Sequence, residues 1–195
     1  MIFSLNYIFH RRPVALMVIV GLVFAGLSWI IALQPALELR EATRAMIAGR
    51  APLDPSVQRG KAIYLREGCG YCHSQFVRPT LMDMPYGRAS RAEDYAGQQP
   101  PVPGTQRTGP DLSNVGVRQP SWMWQFLHLY NPRSMVPESI MPSFAWYFEI
   151  VDGAEAADHP WALSLSEDFI PAGKVAIPTQ EAIDLVTYLR SLKQE

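Results

Sequence analysis

The longest uninterrupted apolar stretch runs over residues 14–33, "VALMVIVGLVFAGLSWIIAL", with no charge in it. At 1.5 Å of rise per residue a helix of that length crosses roughly 30 Å of hydrocarbon. His10, Arg11 and Arg12 stand just before it. Basic flanks stay on the cytoplasmic side, so the pattern predicts a single-pass anchor with a cytoplasmic N-terminus and the rest outside. The apolar run continues past Val23-Phe24-Ala25, a small-residue site of the kind that ends a signal peptide, which favours an uncleaved anchor. Residues 36–50 then alternate as an amphipathic helix, with Leu37, Ala45 and Ala48 near one face, either extending the anchor or lying on the surface. "APLDP" (51–55) is a Pro-bounded linker.

Beyond it, Ser56 can cap a short helix that ends at Gly68. Residues 77–120 have little helical or strand periodicity and many prolines, which predicts loops held by something other than long regular elements. Residues 120–130 read as a helix with Trp122, Phe126 and Leu129 on one face, and residues 150–178 read mostly as loop. The last helix covers 179–193, with Thr179 as its cap and Ile183, Val186, Tyr188 and Leu189 as its buried side. The fold class is therefore mainly α. Residues 1–34 are a stub and transmembrane anchor, 35–55 a juxtamembrane helix and linker, and 56–195 a domain with long Pro-rich loops. Seventeen basic against 18 acidic residues leave a net charge of −1, which gives no sign of a nucleic-acid partner.

The chemistry concentrates in Cys69-x-x-Cys72-His73, which uses both cysteines of the chain. A disulfide would close only a very short loop and add little stability. A thioredoxin-like pair needs a βαβ context that is not seen here. Structural zinc needs four ligands, and no second close pair exists; His128 and His159 are isolated. Cys-x-x-Cys-His is the attachment signature of c-type haem. Two thiols can add to two porphyrin vinyl groups, and the histidine that follows reaches the iron.

For the iron's other face the candidates are Met82, Met84, Met123, Met135 and Met141. Met82 and Met84 lie close to His73, and Met123 sits in an aromatic helix. Met141 precedes Pro142, which favours an extended backbone able to aim one thioether at the iron. Met141 is favoured over Met135, and bis-histidine ligation through His128 or His159 stays open. Methionine opposite histidine raises the potential and suits electron transfer. Around the haem, the neighbourhood of Pro110 can offer a carbonyl to the His73 ring N–H, Leu112 can cover a haem face, and Arg107 and Arg78 are candidates for the propionates. Trp122, Trp124, Phe126 and Tyr188 are pocket walls or ordinary core.

A helix before the haem motif, a Gly-Pro-x-Leu turn, a late methionine loop and a C-terminal helix resemble class I cytochrome c. The longer strings "YLREGCGYCHSQFVRP", "RTGPDLSNVG" and "HLYNPRSMVPESIMPSF" resemble the monohaem subunit, subunit II, of cbb3-type haem–copper cytochrome c oxidases. The resemblance covers residues 14–145 well and the last helix moderately. It implies one covalent haem c on Cys69 and Cys72, with His73 and Met141 on its iron. It implies a periplasmic haem domain on a bacterial inner membrane, in a respiratory complex that reduces oxygen to water elsewhere, at its catalytic haem–copper subunit. A c-type cytochrome subunit or a soluble cytochrome c would supply the electrons. Tyr86, Gly87 and Ser90 would face the large subunit, with an interface calcium as a further family feature. The small subunit of a nitric oxide reductase and a free membrane-tethered shuttle are the alternatives; only about 20 residues between the apolar run and Ser56 argue against a shuttle. Gly70 directly after the first cysteine, the Pro-rich stretch 80–106 and residues 146–177 depart from the family pattern.

Overall fold

A computed structural model describes residues 12–48, 52–104 and 106–194, and about half of the chain is helical. They form two compact units that divide between Arg50 and Ala51. Of the basic cluster His10, Arg11 and Arg12, only Arg12 is among the described residues.

The first unit is a single helical run, Pro13–Ala48, of 36 residues. It comprises α1 (Pro13–Ser28), a π turn (Trp29–Leu33) and α2 (Gln34–Ala48). Pro13 opens α1 where its missing N–H costs nothing. The apolar part is long enough to cross a membrane, and none of its described side chains is buried. The segment after residue 36 thus extends the anchor helix. Its polar half carries local pairs, Arg44 to Glu41 at 2.6 Å and Gln34 to Glu38 at 3.1 Å.

The second unit is built on the crossing of α3 (Pro55–Arg66) with α6 (Gln180–Ser191). The cap of α3 differs from the expected Ser56. Asp54 accepts the Ser56 N–H at 2.7 Å and Pro55 fills the first helical position. The Ser56 hydroxyl instead donates to Asp184 on α6 at 2.5 Å. Arg59 and Gln180 donate to the same carboxylate. Arg59 above all holds Asp184 below the usual carboxylate range. At the crossing, a Cβ on Gly60 would lie 1.9 Å from the Asp184 carbonyl oxygen, so only glycine lets these helices approach this closely. Val57, Ile63 and Tyr64 then bury against Ala182, Leu185, Val186, Tyr188 and Leu189. Thr179 caps α6 as its sequence predicts, accepting the Ala182 N–H at 3.4 Å, while Ile183 is only partly buried.

The helix expected over 120–130 is α5 (Trp122–Tyr130), preceded by a single turn, α4 (Val115–Arg118). Phe126 and Leu129 face the core. Residues 150–178 are not simply loop. β1 (Phe148–Asp152) and β2 (Lys174–Pro178) pair antiparallel from Phe148↔Pro178 to Asp152↔Lys174. Leu163 bridges Ala176 on the other side of β2, and both are fully buried.

Between α3 and α4 the chain is held by two buried carboxylates. Asp83 accepts from the Arg78 backbone N–H at 2.7 Å, from the Arg78 side chain at 3.0 Å, and from Arg107. Asp111 accepts from the Ser74 hydroxyl at 2.6 Å and the Phe76 and Ser113 N–H groups at 2.8 Å. Arg107 links the two, 3.4 Å from Asp111, and also donates to the Phe76 carbonyl at 2.7 Å. Such charges are stable in the interior because each is paired and hydrogen-bonded.

Three outcomes follow from this packing. Gly60→Ala forces the helix crossing apart and should cost about 2–4 kcal/mol in thermal unfolding of the holoprotein. Gly70→Ala places its Cβ in ordinary contact, 3.7 Å from Val102 and 3.8 Å from Tyr64, and should change stability little. The third outcome concerns Asp83, which hydrogen bonds from Arg78, and then from Arg107, hold well below the usual carboxylate range. A depressed folded pKa contributes stability above the unfolded value, roughly pH 4, and loses it as pH falls towards the folded one. Asp83→Asn should therefore melt lower than the wild type at pH 7, and the gap should close as the melts are repeated below about pH 4.

Candidate functional site

Gly68, at φ 69°, turns the chain out of α3 and into a tight 3₁₀ turn, Cys69–Tyr71. The Cys69 carbonyl accepts the N–H of Cys72 at 3.2 Å and of His73 at 2.9 Å. One carbonyl thus winds both cysteines and the histidine onto a single short coil. Both cysteines are free thiols. Cys72 is exposed, while Cys69 packs against the core, where burial pushes its thiol up to about 12.

His73 is set by a second strand of chain. Its Nδ1 lies 2.8 Å from the Pro110 carbonyl oxygen, an acceptor only, so Nδ1 carries the hydrogen. That leaves the Nε2 lone pair as the metal-binding position. Burial lowers the pKa of this imidazole, against the pull of the Pro110 carbonyl. A Cβ on Gly109 would sit 2.3 Å from the His73 ring, so the glycine is the seat on which the ring lies. The Gly109 N–H donates to Cys72 at 3.0 Å and the Leu112 N–H to Ser74 at 2.8 Å, which pins this segment beside the cysteine coil. The structure therefore brings Cys69, Cys72, His73, Pro110 and Leu112 together, with Leu112 buried. Two free thiols, one on the core and one at the surface, beside an imidazole whose Nε2 is unprotonated fit the donor set of a c-type haem.

Of the five candidate methionines, Met141 is the one packed against the core. Met82 and Met84 are 83% and 66% exposed, which leaves them on the surface. The methionine loop is tied to the end of α5: the Phe144 N–H donates to Leu129 at 2.9 Å and the Ser143 hydroxyl to Tyr130. On the same helix Trp124 stacks on His128, with centroids 4.7 Å apart and planes 11° apart. Burial, and then the neighbouring His73, lower the His128 pKa.

Other candidates fall elsewhere. Arg107 and Arg78, the candidates for the propionates, bond Asp83, with Arg107 also on Asp111, Ser74 and Phe76. Trp122 stacks on Trp161 at 5.2 Å and Phe126 is fully buried, so both are core. The buried Tyr188 hydroxyl exchanges hydrogen bonds with Gln75. Tyr86, Gly87 and Ser90, expected to face a partner, make internal contacts: the Tyr86 ring lies under Arg107 and Arg118, and Ser90 bonds Val77 through its hydroxyl and backbone. Gly87 sits at φ 141°, which only glycine adopts readily. Among the described residues no three His, Cys, Asp or Glu side chains gather into a site for a free metal ion. From sequence, Gly109 appears only as part of the Gly-Pro-x-Leu turn, and Asp83 and Asp111 carry no assigned role. Asp83 had a signal, a lone acid inside the apolar run Leu81–Met84.

The family model described as "Cytochrome C oxidase, mono-heme subunit/FixO" matches residues 6–166. No curated protein matches the chain. The match spans the apolar helix, the cysteine coil, the His73 seat and the methionine loop, and on it the chain belongs to the mono-haem subunit (FixO) family of cytochrome c oxidase.

Proposed function

We propose that the chain is a membrane-anchored monohaem c-type cytochrome that relays electrons to the catalytic haem–copper subunit of a terminal oxidase, where oxygen is reduced to water. The observation that carries this reading is the seating of His73, with Nδ1 on Pro110 and its ring against Gly109, directly after two free thiols in a chain of this family. The family description names an oxidase, which favours this reading over a nitric oxide reductase subunit or a free shuttle.

Haem c, when bound, would supply a one-electron couple. Cys69 and Cys72 would each add S–H across one vinyl group, the sulfur forming a thioether and the hydrogen going to the neighbouring carbon. His73 would offer Nε2 to the iron, held in that tautomer by Pro110. Met141 would offer its thioether from a loop fixed to α5. Leu112 and Trp124 would wall the site and limit water, which favours outer-shell electron transfer over chemistry at an open iron. The basic residues before the apolar helix support a cytoplasmic N-terminus, which would leave residues 51–195 on the periplasmic side. The donor would be a c-type cytochrome subunit or a soluble cytochrome c, and a calcium ion at the partner interface belongs to the same proposal.

Gentle solubilisation of the native complex tests the assignment. A large subunit with b-type haems and copper should copurify; the same haems with non-haem iron, or the cytochrome alone, would overturn it. Haem should stay with the polypeptide through denaturing electrophoresis and be lost from Cys69→Ser/Cys72→Ser. In the oxidised protein Met141→Leu should abolish the methionine–iron charge-transfer band and lower the midpoint potential. Survival of that band would remove Met141 as the ligand.

A further inference from the structure

Tyr147 is a buried polar residue, 2% exposed, that the proposed site has not used. It closes the 3₁₀ turn Ala145–Tyr147, which ends the methionine loop, and β1 follows at once. Its backbone is fixed by the cap of α6: the Tyr147 carbonyl accepts the N–H and the hydroxyl of Thr179, both at 2.9 Å. Its side chain reaches the end of α3. The phenolic hydroxyl donates to the Glu67 carboxylate at 2.5 Å, since a carboxylate only accepts. The same hydroxyl accepts from the Arg66 guanidinium at 2.7 Å. Arg66 also pairs with Glu67 at 3.1 Å and with Glu181, in the first turn of α6, at 2.9 Å. The Arg66 side chain is 54% exposed and its ion pairs are screened, whereas the Glu67 side chain is only 18% exposed. The bond from Tyr147 to Glu67 is therefore the inner and stronger link. Glu67 stands directly before the Gly68 turn that leads into the cysteine coil. At its other tethers the methionine loop is held on α5, through Leu129 and Tyr130. Among the described residues the Tyr147 hydroxyl makes the only hydrogen bonds that join residues 131–147 to residues 55–75.

We propose that the hydrogen bond from Tyr147 to Glu67 staples the methionine loop to the cysteine coil and so keeps the Met141 thioether on the iron, making Tyr147 and Glu67 positioning residues for electron transfer. The inference rests on the reading of Met141 as axial ligand. A covalent haem moves with Cys69 and Cys72, whereas Met141 is carried by a separate segment. The iron–sulfur bond lasts only while those two segments stay together. Loss of the staple adds open states in which the loop swings away and the sulfur leaves the iron. An outside ligand that takes the vacated position binds with an apparent affinity proportional to the open fraction.

The test uses the full-length ferric holoprotein in detergent, titrated with imidazole. Loss of the methionine–iron charge-transfer band follows displacement of the thioether. Tyr147→Phe keeps the buried ring and removes the donor. It should hold haem and show the band before imidazole is added, yet half-saturate at an imidazole concentration about tenfold lower than wild type, of the order of one hydrogen bond. Glu67→Ala should do the same, and the double variant should fall no further than the larger single one, because the two residues share one interaction. Glu67→Gln keeps a weaker, neutral acceptor and should fall by only about two- to fourfold. Half-saturation within about twofold of wild type in Tyr147→Phe overturns the proposal, as do fully additive effects of Tyr147→Phe and Glu67→Ala. Should Tyr147→Phe fail to hold haem, Glu67→Gln decides: its two- to fourfold fall supports the staple, and an unchanged titration overturns it. The Met141→Leu spectrum separates the two levels. If its band survives, the ligand reading fails and this inference with it; if its band is lost while Tyr147→Phe titrates as wild type, this inference alone fails.

Discussion

The site depends on the contact of Gly60 with Asp184, where a Cβ on the glycine would lie 1.9 Å from the Asp184 carbonyl oxygen. It joins the helix that leads into the cysteine coil to the helix that closes the chain, across more than 120 residues of sequence. Once these helices touch at their backbones, Tyr64 and Tyr188 meet edge to face at 5.3 Å, and the Tyr188 hydroxyl reaches Gln75 two residues past His73. The end of α3, and so the direction in which Cys69 leaves it, is therefore set by a contact two turns earlier. The Asp184 carboxylate reinforces the crossing because three side chains satisfy it; with those donors missing, the same burial would oppose folding.

The second organising device is ionic. A Pro-rich segment offers few backbone hydrogen bonds of its own, so its shape must come from side chains. Asp83 and Asp111 supply acceptors in the interior, and Arg107 spans them. Asp111 follows Pro110 directly, so the carboxylate that bonds Ser74 and Phe76 also fixes where the Pro110 carbonyl meets His73. The network and the imidazole share one short piece of chain. Arg107 and Arg78, read from sequence as partners for the propionates, here bond these internal acids.

The division between what was readable in the sequence and what was not follows from range. Periodicity reports interactions within one element, and it disclosed the apolar helix, the core face of α5, and α6 with its Thr179 cap. The Cys-x-x-Cys-His spacing reports chemistry within five residues, and it needed no fold. The strands were missed because β1 has no alternation: Phe148 is buried, Glu149 and Ile150 are both exposed, and pairing with β2 across a long loop is what makes it a strand. Asp54 displaced Ser56 as cap because Pro55 fits the first helical position and Ser56 had a better partner on α6. Gly109 carried no sign of its role. Its requirement arises from a histidine 36 positions earlier whose ring must lie against it.

Both proposed axial groups are held in the same manner, which bears on what the site is for. Backbone carbonyls set the two sides: Pro110 fixes the His73 ring, and Leu129 and Tyr130 fix the loop of Met141. A carbonyl on a packed segment moves less than a side-chain acceptor, so each donor atom would keep its place whatever charge the iron carried. An open catalytic site needs one face that can yield to a substrate. A relay needs the opposite, two ligands that reorganise little when an electron arrives, and the cost of that transfer falls as the surrounding groups are held more firmly. The absence of slack around His73, where even one methyl group on Gly109 would collide with the ring, belongs with the second requirement.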